Sequence, residues 1–178
     1  GGRNAVQTDL MEATMDLSDM VRPSTPSSET RLTYTDGTSR TVFTTDIEMP
    51  FPEGRLIVSS TNLLGIITHA NDAFVEMSGY PREALIGAPH HILRHPDMPK
   101  LAFKGLWDDV AAGKKWHGYV KNLRQDGAFY WVYATAVPNI RNGVIVGYTS
   151  VRRKPSRTRI NELVPVYQQW LAEEKAAS

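Results

Sequence analysis

Two stretches of this chain concentrate side chains that could do chemistry: HHILRHPDMPK (His90–Lys100) and WHGYVKN (Trp116–Asn122). The second alternates apolar and polar residues ahead of an Asp126–Gly127 turn and reads as a strand, so Trp116, Gly118, Val120 and Asn122 share one face. That face offers a large π-surface, a gap, an apolar residue and a primary amide. A flat heteroaromatic ligand needs those features: something to pack on, room, and a donor–acceptor group for its edge. The same pattern also suits an ordinary core strand with a partly buried Trp.

The polar stretch supports several chemistries. His90, His91, His95 and Asp97 are legitimate metal ligands, but Pro89 and Pro96 work against the regular helix that would give His91 and His95 a shared face. One of these histidines could be an axial haem ligand in a large apolar cavity. A hydrolytic site would need an activated nucleophile beside a base, and no GxSxG elbow is present; GxGxxG and GxxxxGK[ST] loops are absent too. A dinucleotide clamp is the remaining reading. Arg94 and Lys100 would meet phosphate charge, His95 and Asp97 would bond sugar hydroxyls or a ring edge, and Asn71 would add an amide. Each residue also has a local alternative, with Asn71 as a helix N-cap and Asp97 capping the segment after it.

These residues need a scaffold. At 178 residues the chain suits one domain with extensions and can bury a real core. A formal net charge of +1 argues against a general nucleic-acid binder. With no cysteine there are no disulfides, thiolate metal sites, iron–sulfur clusters or cysteinyl photoadducts, which fits a reducing compartment. No apolar run reaches the length of a membrane span and no signal peptide is visible, so this segment is not expected to insert into a membrane. The start at Gly1–Gly2 reads as a trimmed piece of a longer protein.

Residues 1–21 carry an amphipathic helix, with Val6, Leu10, Ala13, Leu17 and Met20 on an a/d-like seam that suits a dimer partner or the domain itself. Residues 22–47 read as a linker, Pro/Ser-rich over Arg22–Thr30, with a hairpin signal at Asp36–Gly37. From Leu56 come two short strands, LIVSS and IITHA. A helix from Asn71 stopped by Gly79 follows, then a helical turn at Pro81–Leu85 and a full helix over Pro99–Ala112. Strands Trp116–Leu123, Ala128–Asn139 and Val144–Arg153 follow, joined at Asp126–Gly127 and Asn142–Gly143. This order predicts an α+β domain over residues 48–154, a five-stranded antiparallel sheet with short helices on one face. The basic run Arg152–Arg159 reads as a solvated connector, and residues 155–178 as an exit helix with Pro165 inside it, where proline can kink a helix.

THANDAFVEMSGY (Thr68–Tyr80), HHILRHPDMP (His90–Pro99), AFKGLW (Ala102–Trp107), GKKWHGYVKNLRQDGAFYWV (Gly113–Val132) and NGVIVGYTSVR (Asn142–Arg152) together resemble the PAS domain of Aer-type bacterial aerotaxis receptors. The resemblance runs from about Glu48 to Trp170; residues 1–45 match nothing expected ahead of such a domain. It implies a PAS fold and noncovalently bound FAD, with Asn71, Arg94, His95, Asp97, Trp116 and Asn122 important for the flavin. It also implies redox or oxygen sensing, an output domain outside this chain, and a cytoplasmic sensor in a membrane-anchored parent; a homodimer through the N-terminal helix or a PAS surface is expected besides, and the missing catalytic motifs predict no catalysis. The ring would lie between the inner face of the last three strands and the helix Pro99–Ala112, Asn122 at its polar edge. A haem-binding PAS gas sensor and a cofactor-free PAS dimerisation module are the alternatives.

Overall fold

The computed structural model describes residues 20–178. The amphipathic helix expected over residues 1–21 therefore lies almost wholly outside the described residues. The first element among the described residues is a separate antiparallel hairpin, β1 (Ser28–Thr33) and β2 (Ser39–Thr44), closed at Asp36–Gly37. Its first strand starts inside the stretch read as linker. Then come β3 (Ile57–Asn62) and β4 (Ile67–Ala70), α1 (Asp72–Ser78), α2 (Arg82–Leu85), a 3₁₀ turn at His90–Leu93, a second at Lys100–Phe103, and α3 (Leu106–Ala111). Strands β5 (Trp116–Leu123), β6 (Phe129–Arg141) and β7 (Val144–Arg153) follow, and α4 (Arg157–Ala177) ends the chain.

The main sheet is antiparallel in the order β4-β3-β7-β6-β5. Its turns are built as the sequence asks: Asn142 and Gly143 both take positive φ, 52° and 76°, the geometry of a tight hairpin loop. Asn71 caps α1 by accepting from the Phe74 N–H, and Gly79 ends it in the left-handed region at φ 75°. The helix expected over Pro99–Ala112 is instead broken in two. Gly105 adopts φ 81°, so the 3₁₀ turn ends at Phe103 and α3 starts afresh at Leu106. Apolar spacing is nearly the same for one helix or two short ones, which is why the break escaped the sequence pattern.

One face of the sheet packs against α1, α2, the 3₁₀ turns and α3 through Ile57, Ile67, Phe74, Leu85, Ile92, Leu93 and Val132, all buried. The other face carries α4. Its Ile160, Leu163 and Tyr167 pack on Trp131 and Met98, and the Tyr167 hydroxyl donates to the Tyr119 carbonyl at 2.8 Å. The far end of α4 reaches the second 3₁₀ turn, where the Leu101 N–H donates to Glu174 Oε1 at 3.1 Å. The helix runs on through Pro165. Burying this apolar stripe is what holds a helix with a missing backbone donor.

Gly147 lies opposite Asn62 in β3 and Asn139 in β6. A β-carbon there would overlap the Thr61 carbonyl oxygen, which is backbone and cannot swing away. Gly147→Ala is therefore expected to cost about 1–3 kcal/mol by parting β3 from β7, read as a lower urea midpoint at unchanged m-value.

Candidate functional site

The register of the last three strands lays out the site floor row by row. Trp116 pairs with Ala136, Ala136 with Ser150, and Ser150 with Ser59. The next row runs Gly118, Ala134, Arg152, Ile57, and Asn122 stands opposite Tyr130. Directly opposed residues share a face. The inner face is thus mostly small at its centre, with Trp116, Tyr148 and Arg152 standing around it.

Above that floor lies a cavity of about 470 Å³, within the roughly 300–1,000 Å³ span of small-molecule sites. Leu93, Phe103, Leu106 and Val110 wall it from the helical side. Its exposed lining residues, Thr35, Asp36, Leu64, Lys100 and Trp107, mark the mouth. A second hollow, of about 480 Å³, is a shallow groove along β3, β4 and α2 and holds no buried charge. The cavity over the sheet is deeper than this groove and is the better-formed site.

The structure brings Arg94, Trp116 and Asn122 to this cavity. The Trp116 indole N–H donates to the Lys104 carbonyl at 3.1 Å and its ring stacks on Phe103. It lies over Gly118, where a β-carbon would overlap the six-membered ring. The Asn122 amide is 5% exposed and neighbours the Tyr130 hydroxyl, whose pKa burial pushes up to about 12. Arg94 stacks its guanidinium over Phe103, and its backbone bridges to Asn122.

The structure does not place the other three expected residues on the cavity. His95 is buried behind the wall, Nδ1 accepting from the Asp97 N–H and Nε2 without a hydrogen-bond partner among the described residues. Burial and then the Lys121 charge pull its pKa well down, so it is neutral. Asp97 bonds Lys121 Nζ at 2.9 Å. Asn71 spends its amide on the Phe74 and Val58 N–H groups and the Leu56 carbonyl, which tie α1 to β3.

Sequence reasoning missed Arg152, and its placement in a solvated connector is corrected here. Arg152 is 2% exposed, lines the cavity, and lies over the Phe74 ring. One guanidinium nitrogen donates to Ser59 Oγ at 2.9 Å and to His90 Nε2 at 2.7 Å, while Nη1 is buried and unbonded. Among the described residues no carboxylate pairs with it. Burial lowers its pKa to about 10, which leaves it charged at neutral pH. His90 must then present a lone pair, so it is neutral; burial first and the Arg152 charge second pull its pKa down to about 3. The available signal was period two: Arg152 shares its parity with Tyr148 and Ser150.

Comparison with known proteins fits this architecture. Residues 67–152 match the family model described as the PAS fold. The aerotaxis receptor of Escherichia coli (strain K12) is 44% identical over 125 residues, 70% of this chain and 25% of the receptor. The nitrogen fixation regulatory protein of Klebsiella pneumoniae is 24% identical over 102 residues, 57% of this chain and 21% of that protein. Among solved structures, the light state of the blue-light photoreceptor Aureochrome1 LOV superposes with a TM-score of 0.55 at 23% identity, over 61% of this chain and 88% of that one, a likeness of fold. Sheet order and flanking helices, with these matches, define a PAS domain. The chain carries a PAS domain, and that domain is of the aerotaxis-receptor type. It spans about a quarter of that receptor's length. No helix among the described residues is long and apolar enough to cross a membrane.

The buried His95 and half-buried His90 imidazoles give the domain an acid-sensitive stability. Each takes a proton more readily in the unfolded chain, at the ordinary value of 6.5, than in the folded one. Stability is therefore complete above about pH 6.5 and falls as the pH drops towards the folded values, by up to about 1.4 kcal/mol per pH unit for each histidine. Between about pH 6.5 and 5, above the carboxylate range, the urea midpoint should fall with pH, and His90→Gln should remove its share of that slope.

Proposed function

We propose that this domain is a flavin-binding redox sensor, holding FAD without a covalent bond and passing a redox or oxygen-linked signal to an output domain outside this chain. The observation that carries the reading is a buried guanidinium without a counter-ion among the described residues, lining with the Asn122 amide a cavity floored by Ala134, Ala136 and Ser150. An unpaired buried charge costs several kcal/mol, so a site that keeps one suits a ligand whose electron-rich edge answers it. A flavin has a flat ring for the space between floor and wall and such an edge at its pyrimidine end. The Nε2 atoms of His90 and His91 are already engaged, by Arg152 and Asp36 respectively, which favours flavin over haem. Likeness to an aerotaxis receptor supports a role in chemotactic signalling; the proposed sensor is cytoplasmic and dimeric, has an anchored parent, and works by binding and not by turnover.

A bound flavin supplies reversible electron storage. The protein groups do the rest. Trp116 and Phe103 give the ring its packing surface, and Arg152 and Asn122 meet its polar edge. The Asn122 amide can rotate to offer a donor or an acceptor as demand at that edge changes. Its strand is tied outward at two points: the Tyr119 carbonyl takes the α4 bond from Tyr167, and Lys121 holds Asp97. The 3₁₀ turn that brings Lys100 and Phe103 to the cavity is bonded to α4 through the Leu101 N–H and Glu174. A differential of about 1–3 kcal/mol between redox states would suffice to shift how α4 docks. His95 and Asp97 serve this site as positioning residues behind the wall, and Asn71 by tying α1 to β3.

Purified protein should be yellow with flavin absorption bands, and heat release followed by chromatography should yield FAD. Asn122→Ala and Trp116→Ala should each cut flavin content, with affinity falling about tenfold or more for a loss of about 1.4 kcal/mol. Unchanged flavin in both variants overturns the site. Oxidised and reduced protein should differ in amide exchange along α4; identical maps overturn the relay.

A further inference from the structure

The β1–β2 hairpin lies outside residues 67–152, the span that matches the family model, yet it reaches the cavity. Arg40 anchors it. This side chain is 4% exposed, with Nη1 donating to the Ile92 carbonyl and Nη2 to the Tyr80 hydroxyl, both at 2.9 Å. The first 3₁₀ turn is therefore clamped from outside. Nearer the mouth, the Tyr34 ring stacks on His91 at 3.7 Å between centroids, with planes 8° apart. Asp36, in the turn, sets Oδ2 2.9 Å from His91 Nε2 and takes two bonds from Thr38 on Oδ1. Thr35, Asp36 and His91 all line the cavity together with Arg94 and Lys100.

The contacts orient the Asp36 carboxylate. The Thr38 bonds, the largest influence, hold its pKa down to about 2, so it is ionised. Its side chain is still 46% exposed, and a carboxylate has about four acceptor positions, so capacity remains. A fixed anion among the cations of the mouth treats two kinds of ligand group oppositely. It accepts hydrogen bonds from sugar or polyol hydroxyls, and it repels a phosphate brought close to it.

We propose that the hairpin is an outer wall of the ligand site and that Asp36 is a specificity-determining residue, accepting from hydroxyls of the ligand's polyol tail and opposing a terminal phosphate monoester at the mouth. This rests on the flavin reading above. The wall explains what Tyr34, Arg40 and Asp36 do for this domain: they complete a rim that the matched PAS core leaves to its N-terminal neighbour.

The test measures dissociation constants of riboflavin, FMN and FAD for the full chain and for Asp36→Asn. The variant should bind riboflavin several-fold more weakly and FMN more tightly relative to riboflavin, changing their ratio about tenfold. A ratio unchanged within twofold, whether affinities stay put or move together, overturns the assignment and leaves Asp36 as a partner of His91. Tyr34→Ala keeps the carboxylate but loses the stack on His91; it should speed release of all three flavins, and unchanged release rates overturn the wall. In wild-type protein, amides of residues 34–38 should gain protection when flavin binds. A wild-type chain that binds none of the three flavins overturns the cofactor reading and this inference with it. A chain that binds all three with an unaltered Asp36→Asn ratio overturns this inference alone.

Discussion

The antiparallel register of β5, β6 and β7 is the constraint from which the site follows. Because opposed residues share a face, pairing Gly118 with Ala134 and Ala134 with Arg152 puts two small residues and one cation in a single row. The row beside it, Trp116, Ala136, Ser150 and Ser59, does the same with an indole at its end. A slip of one residue in β7 would send Arg152 to the helix-covered outer face and bring Arg153 inward. Tight turns at Asp126–Gly127 and Asn142–Gly143 hold that register, and Gly147 lets β3 approach closely enough to extend it.

The register also sets the electrostatics. Arg152 arrives at the floor from the last strand, beneath His90 from the first 3₁₀ turn, and the short contact between them forces the imidazole to be neutral. Nothing anionic among the described residues completes the pair. The fold accepts a buried cation because cation–π contact with Phe74 and two hydrogen bonds offset part of its desolvation. The supports of that residue belong to β3, α1 and a 3₁₀ turn.

Much of this was legible beforehand. The strand of Trp116–Asn122 and its inward face are as its alternation implies, and Asn71 and Gly79 bound α1 as their types suggest. The aerotaxis-receptor resemblance read from the THAND, RHPDMP and Trp116–Arg124 motifs agrees with the comparisons. Three features were not legible. Gly105 splits the expected helix by taking a positive φ, a conformation that spacing does not encode. The polar cluster from His90 to Asp97 divides, with His90, His91 and Arg94 on the cavity and His95 and Asp97 off it, because a 3₁₀ turn and two prolines defeat any simple face rule. The hairpin signalled at Asp36–Gly37 forms, but its docking was not legible, because the contacts of Arg40 and Tyr34 that dock it are long-range.

What the sequence by itself determined is local. Turn residues set the hairpins, caps and glycines set helix ends, and period two chose which side chains of each strand travel together. These depend on φ and ψ and on near neighbours, which a sequence carries directly. Only the tertiary structure decided which strand faces meet, and so that Arg152 would lie beneath His90, that Tyr34 would stack on His91, and that Asn71 would brace β3 instead of facing the cavity. Those outcomes turn on burial and pairing between segments far apart in the chain, where a charge in a basic run and a charge in a core have the same letter.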